Sequence, residues 1–162
     1  MNDTQPLEMT VGVRLRAANL TVAAAESCTG GLILKRLTDI AGSSAYVLGG
    51  VVSYANRVKE HVLGVDGGVL AREGAVSEPV ARQMAEGVRA LLSADVALSV
   101  TGIAGPGGGT AEKPVGLTFI GLSTADGTWV CRFVWTGDRA ENRRLSANAA
   151  FRLLLDYLDG QL

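Results

Sequence analysis

Apolar residues recur along this chain in two rhythms, and the switching between them predicts the fold. From about Leu7 to Asn19, Val11, Val13, Leu15 and Ala18 stand among polar residues at helical spacing, the pattern of an amphipathic helix. Thr21 to Ala25 (TVAAA) is a short unbroken apolar run that reads as a buried strand. LILKRLTDI then returns to the helical period through Leu34, Leu37 and Ile40, and Gly42-Ser43-Ser44 stops it. Tyr46 to Tyr54 (YVLGGVVSY) predicts a second strand with a glycine pair inside it, and Ala55 to about Leu63 a helix. Residues 64–76 read as loop. Ser77-Glu78-Pro79 combines a capping hydroxyl, an acid for the positive end of the dipole and an early proline, so a helix is expected from there to about Ser93.

Asp95 to Val100 (DVALSV) is a third buried run, and it empties into TGIAGPGGG. LTFIGLST and TWVCRFVW flank Ala125-Asp126-Gly127, a β-hairpin with a D-G turn. Asp138 is placed to cap a last helix over about 139–158, with Leu145, Ala149, Phe151, Leu155 and Leu158 toward the core. Strands alternating with helices, then a hairpin, predict an α/β fold: a three-layer α/β/α sandwich whose sheet is part parallel and part antiparallel. In such sheets the loops after the strands build the site. Ser27, Tyr54 and Thr101 each fall at the carboxyl end of a predicted strand.

Length and charge narrow the class. A chain of 162 residues fits one domain and buries roughly two thirds of its extended surface. Lys+Arg 15 against Asp+Glu 16, with no basic block, gives no support for a nucleic-acid or anionic-membrane surface. MNDTQPLEMT has neither the basic nor the apolar segment of a signal peptide, and no uncharged run reaches the roughly 18 residues of a membrane span. A cytoplasmic location is expected. Cys28 and Cys131 then read as reduced thiols, and with His61 the single histidine there is no metal site to expect and no Ser-His-Asp triad except one built on His61.

The candidate chemistry gathers in three places. In AAESCTGG, Ser27 is a nucleophile at a strand end, with Gly30 and Gly31 permitting a tight turn and the N–H groups of Cys28, Thr29, Gly30 and Gly31 available to an oxyanion. Cys28 competes for the same role, and small residues at such a junction also serve as a plain turn. In the helix after Tyr54, positions laid at roughly 100° per residue put Lys59 inside the arc of Val58, Val62 and Leu63, with Arg57, Glu60 and His61 outside. Lys59 either snorkels outward or is a base: burial and the positive end of the helix dipole both lower a lysine pKa. To be neutral near pH 7 it must fall about 3 units, roughly 4 kcal/mol. Tyr54 supplies either a strand aromatic or a phenol for proton relay. TGIAGPGGG matches neither the P-loop nor the dinucleotide fingerprint; Thr101, Gly102 and Gly105 there allow backbone to approach a ligand. Arg139, Arg143 and Arg144 offer cations to a phosphate or form a solvated face.

Taken together and in order, AESCTGG, DIAGSSAY, VVSYANRVKEHVLGV, GAVSEP, TGIAGPGGG with EKPVG, and TGDR resemble the CinA C-terminal domain family. The resemblance covers about Thr21 to Leu158 and implies that residues 1–162 form a single amidohydrolase domain without the larger N-terminal domain of two-domain members. Stand-alone members hydrolyse nicotinamide mononucleotide to nicotinic acid mononucleotide and ammonia in pyridine nucleotide recycling. The family's Ser-Tyr-Lys set falls on Ser27, Tyr54 and Lys59, and no metal or organic cofactor is implied. The small-molecule substrate is the expected partner, together with a homo-oligomer. Two alternatives stand beside this: a non-catalytic nucleotide-binding module, in line with the family's link to competence and DNA damage, and an amidase of another substrate.

Overall fold

The computed structural model describes residues 5–162. Helix α1 (Leu7–Ala18) precedes strand β1 (Val22–Glu26), α2 (Leu32–Thr38), a 3-10 turn at Ser43–Ala45, β2 (Val47–Val52), α3 (Asn56–Leu63), α4 (Gly67–Glu73), α5 (Glu78–Leu92), β3 (Val96–Gly102), β4 (Leu117–Ser123), β5 (Thr128–Val134) and α6 (Arg139–Leu158). The five strands form one mixed sheet in the order β2-β1-β3-β4-β5. β1 runs parallel to β2 and β3, while β3-β4 and β4-β5 are antiparallel.

Every residue of β1 is buried, because helices cover both faces of the sheet. Val22 and Ala24 point into the cluster built with Val11, Leu15, Ile33, Phe151 and Leu154 of α1, α2 and α6. Ala23 and Ala25, of opposite parity, point into the cluster built with Leu63, Leu70, Val80, Met84 and Val88 of α3, α4 and α5. This is the α/β/α sandwich with a mixed sheet that the apolar rhythms predict. The second glycine of the pair within β2 has a packing cause: a Cβ on Gly50 would run into the Ala24 carbonyl and lie 2.8 Å from Leu34 Cδ1, so Gly50 lets α2 lie close on the edge of the sheet.

Several boundaries differ from the sequence reading. β2 ends at Val52, which leaves Ser53 and Tyr54 in the loop before α3. Residues 64–76 contain α4, whose N-terminus Asp66 caps by accepting from Val69 N–H at 2.8 Å; the flanking Gly67-Gly68 disguised that start. Ser77 does not cap α5 and instead donates to the Gly74 carbonyl at 2.9 Å. Asp138 does cap α6, accepting from Glu141 N–H at 2.8 Å. Val13 and Val62, assigned above to core faces, are exposed; the inward row of α3 is Lys59 and Leu63.

The topology fixes where a site can lie. β1 leads to β2 through α2 on one face, and β2 leads back across β1 to β3 through α3, α4 and α5 on the other. That reversal opens a crevice beyond the carboxyl ends of the parallel strands. Glu26 is in register with Val52 and with Val100, so the chain leaves β1 and β2 at one level and β3 two residues beyond it, at Gly102.

Candidate active site

Ser27 is the first residue beyond β1, and its N–H donates to the Val100 carbonyl of β3 at 2.9 Å. The next residues turn sharply into α2, with Gly30 at φ 60° and Gly31 at φ 95°, a conformation that side chains with a Cβ rarely adopt. Lys59, 32 residues further along the chain in α3, is 1% exposed and donates from Nζ to Ser27 Oγ at 3.0 Å and to the Ser53 carbonyl at 2.6 Å. Burial pushes the lysine pKa below its ordinary value, because a charged amine loses hydration there. The snorkelling alternative is therefore excluded: this ammonium end lies inside, on a serine hydroxyl.

Cys28 is buried beside it, and burial, reinforced by the Glu26 carboxylate, pushes its thiol up to about 11. A thiol held there is protonated at neutral pH and a poor nucleophile. His61 is exposed and its Nδ1 lies 2.8 Å from the Arg57 carbonyl, on the far side of α3 from Lys59, so no histidine reaches Ser27.

The turn amides divide into two groups, which corrects the expectation that all four face an oxyanion. Gly30 N–H donates to the Ser27 carbonyl at 3.1 Å and Gly31 N–H to Glu26 Oε2 at 3.0 Å. Those of Cys28 and Thr29 donate to no other residue among the described residues. The Thr29 carbonyl accepts from Arg143 Nη2 at 2.7 Å, so Arg143 braces the turn, and it does not line the cavity beside Ser27. Arg144 pairs with Glu141 at 2.6 Å on the exposed side of α6.

Ser27, Cys28 and Lys59 open into a cavity of about 270 Å³, walled by Ala75, Val76 and the glycine loop from Thr101 to Gly108, with Tyr54 and Arg139 at its rim. Thr101 Oγ1 donates to the Ala75 carbonyl at 2.8 Å, so its hydroxyl holds the wall. Gly102 is packed tightly: a Cβ there would lie 2.7 Å from Thr118 Oγ1 and 3.1 Å from Cys28 Sγ. Gly105 has φ 87°, and its carbonyl accepts from Arg139 Nη1 at 2.8 Å. Arg139 Nη2 donates to Tyr54 Oη at 3.1 Å. Tyr54 is 62% exposed, and its hydroxyl bonds to this arginine and to neither Ser27 nor Lys59, so the three members of the Ser-Tyr-Lys set do not form one hydrogen-bonded chain. Lys59 and Arg139 are the charged residues of the lining, and no carboxylate joins them among the described residues.

Two residues escaped the sequence reading. Ser53 contributes only its carbonyl to Lys59, which no side-chain pattern reveals. Glu26 is fully buried and accepts three backbone N–H groups from the start of α2; the signal was an acid closing an otherwise apolar strand (VAAAE) just before a glycine turn.

Fold and site define an α/β/α domain with a buried serine-lysine pair in a strand-end crevice. The chain belongs to the CinA C-terminal domain family, whose model matches residues 4–158. It is 51% identical to a CinA-like protein of Desulfotalea psychrophila over 96% of this chain and 38% of that one. A CinA-like protein of Mycolicibacterium gilvum is 53% identical over 88% of this chain and 34% of its own length. The chain thus spans well under half the length of these curated relatives. Among solved structures, competence/damage inducible protein CihA from Agrobacterium tumefaciens superposes with a TM-score of 0.91 at 42% identity, covering 94% of this chain and 93% of that chain. A CinA superfamily protein from Klebsiella pneumoniae gives 0.92 at 31% identity, covering 95% and 96%.

Proposed function

We propose that this domain hydrolyses the carboxamide of nicotinamide mononucleotide, giving nicotinic acid mononucleotide and ammonia. The observation that carries the reading is the 3.0 Å contact of Lys59 Nζ with Ser27 Oγ inside the protein, where burial favours the neutral amine. With one N–H on the Ser53 carbonyl, a neutral Lys59 turns its lone pair to the serine hydroxyl and takes its proton as the oxygen attacks the carboxamide carbon. The N–H groups of Cys28 and Thr29, unengaged elsewhere, are the donors for the resulting oxyanion. The C–N bond then breaks as the Lys59 ammonium protonates the leaving nitrogen, and ammonia departs. Water, deprotonated by the same amine, cleaves the acyl-serine ester, and the proton returns to Ser27 Oγ. These steps use no metal or organic cofactor.

Arg139 is the cation of the cavity rim and the group we assign to the substrate phosphate, with Tyr54 orienting its guanidinium. With Lys59 neutral, Arg139 is the charge of the lining, and no carboxylate offsets it among the described residues, which favours a substrate carrying an anionic group. A cytoplasmic location, assembly into a homo-oligomer and independence from nucleic acid accompany this reading. The test is incubation of the purified protein with nicotinamide mononucleotide, without added metal, and assay of both products. Stoichiometric ammonia and nicotinic acid mononucleotide are expected. Tight binding without turnover would instead favour the nucleotide-binding module, and turnover of other amides alone a different amidase.

A further inference from the structure

We infer that Glu26 is the positioning residue of this site, holding nucleophile and base at their distance from one carboxylate and one carbonyl. The inference rests on reading Ser27 as nucleophile and Lys59 as base.

A carboxylate with no solvent exposure is costly unless its oxygens are satisfied. All the hydrogen bonds to this one come from backbone: Oε2 accepts from Gly31 N–H at 3.0 Å and Ile33 N–H at 3.1 Å, and Oε1 from Leu34 N–H at 2.9 Å. The residue preceding α2 is Gly31, which has no side chain to cap the helix. The cap therefore comes from the last residue of β1, and the segment it closes is the Ser27–Gly30 turn. Fixing residue 26 to residues 31, 33 and 34 leaves the turn between them little freedom, and Ser27 is its first member.

The same residue reaches the base by its other end. The Glu26 carbonyl accepts from Ser53 N–H at 2.8 Å and from Ser53 Oγ at 3.4 Å. The carbonyl of Ser53 in turn receives Lys59 Nζ at 2.6 Å. Nucleophile and base come from elements separated by a strand and a helix, and Glu26 is where their supports meet. The carbonyl link continues the β1-β2 pairing and is common to any residue at this position; what the carboxylate adds is the clamp that fixes the Ser27 turn against this shared support.

Glu26→Gln keeps the shape but presents an NH2 to either Leu34 N–H or the Gly31 and Ile33 pair, so one side of the clamp must open. Glu26→Asp keeps both acceptors on a shorter arm. Both variants are made in the full chain, checked for folding by circular dichroism and thermal melting, and compared with the parent in turnover and in the rate at which a fluorophosphonate labels Ser27. In folded Glu26→Gln, kcat falls about tenfold to a hundredfold, as expected for a sub-ångström to ångström misplacement, while KM stays within about twofold. Labelling slows in the same proportion, and Glu26→Asp recovers part of both. A folded Glu26→Gln protein with parental kcat and labelling overturns the inference. So does failure of both variants to fold, since the carboxylate would then hold the whole domain. A parent that labels but leaves nicotinamide mononucleotide intact removes the proposed substrate, and the labelling comparison still decides the role of Glu26. A parent that neither labels nor turns over removes the serine-lysine reading and this inference with it.

Discussion

Replacing Lys59 by methionine separates the packing of this side chain from its chemistry, because a flexible thioether of similar length fills the space without a basic nitrogen. The variant loses the donor to the Ser53 carbonyl and the contact with Ser27 Oγ. A buried carbonyl left without a partner costs about 1–3 kcal/mol. Against this, the parent bears the cost of burying an amine whose charged form is disfavoured there, several kcal/mol if it stays charged and less as its lowered pKa lets it shed the proton. These effects are similar in size and opposite in sign, so stability at pH 7 should remain within about 2 kcal/mol of the parent. Turnover should fall about 10²–10⁴-fold, the usual worth of a general base, or roughly 3–5 kcal/mol in the barrier. The pH dependence adds a second arm. The folded-state pKa of Lys59 lies below its ordinary value, so between that lowered pKa and about 10.4 the unfolded chain binds more protons than the folded one. Across this window the parent gains stability relative to Lys59→Met as pH rises, by up to about 1.4 kcal/mol per pH unit; below it both states hold the proton and the difference is flat. Urea melts at a series of pH values and an ammonia assay read both arms. A folded variant that keeps more than about a tenth of parental turnover, or a parent-minus-variant stability that falls as pH rises through this window, refutes the reasoning.

The other substitutions address single links. Ser27→Ala should eliminate turnover and leave the melting temperature close to the parent's, as the hydroxyl is at the cavity and not in the core. Cys28→Ala should retain activity within about threefold, because a thiol pushed up to about 11 stays protonated and is not the nucleophile; loss of turnover here with Ser27→Ala active would reverse the assignment. Arg139→Ala should raise KM for nicotinamide mononucleotide about tenfold or more and leave the weaker turnover of the phosphate-free riboside unchanged; equal effects on both would deny the arginine its phosphate. Gly102→Ala forces a Cβ to within 2.7 Å of Thr118 Oγ1 and 3.1 Å of Cys28 Sγ and should destabilise the domain by about 1–3 kcal/mol, measured by chemical denaturation.

The layers of this fold were legible because most helices and strands keep their own apolar period, and the short unbroken run TVAAA before a glycine turn suits a strand covered on both faces. What stayed hidden had local causes. Asp66-Gly67-Gly68 reads as a turn, yet Asp66 starts α4. Tyr54 lies beyond the end of β2, and its hydroxyl faces Arg139, 85 residues further along the chain, a pairing that no local pattern contains. Lys59 was legible as inward because a cation interrupts an apolar arc, although Val62 of that arc faces solvent. The Ser53 carbonyl that receives Lys59 and the amides of Cys28 and Thr29 proposed for the oxyanion are backbone atoms, which the identity of a side chain does not report. Glu26 was readable in principle: an acid in an all-buried strand must find donors, and the nearest free ones are at the start of the following helix.

The acyl-serine is the intermediate that the Ser27-Lys59 mechanism requires and a non-covalent hydrolysis does not. Protein mixed with nicotinamide mononucleotide, quenched in acid before the steady state and digested for mass spectrometry, tests it most directly. The prediction is a nicotinoyl mononucleotide ester on the peptide carrying Ser27, mapped to that residue and absent from Ser27→Ala. Product formation with no adduct at any time, or an adduct on Cys28, would contradict it.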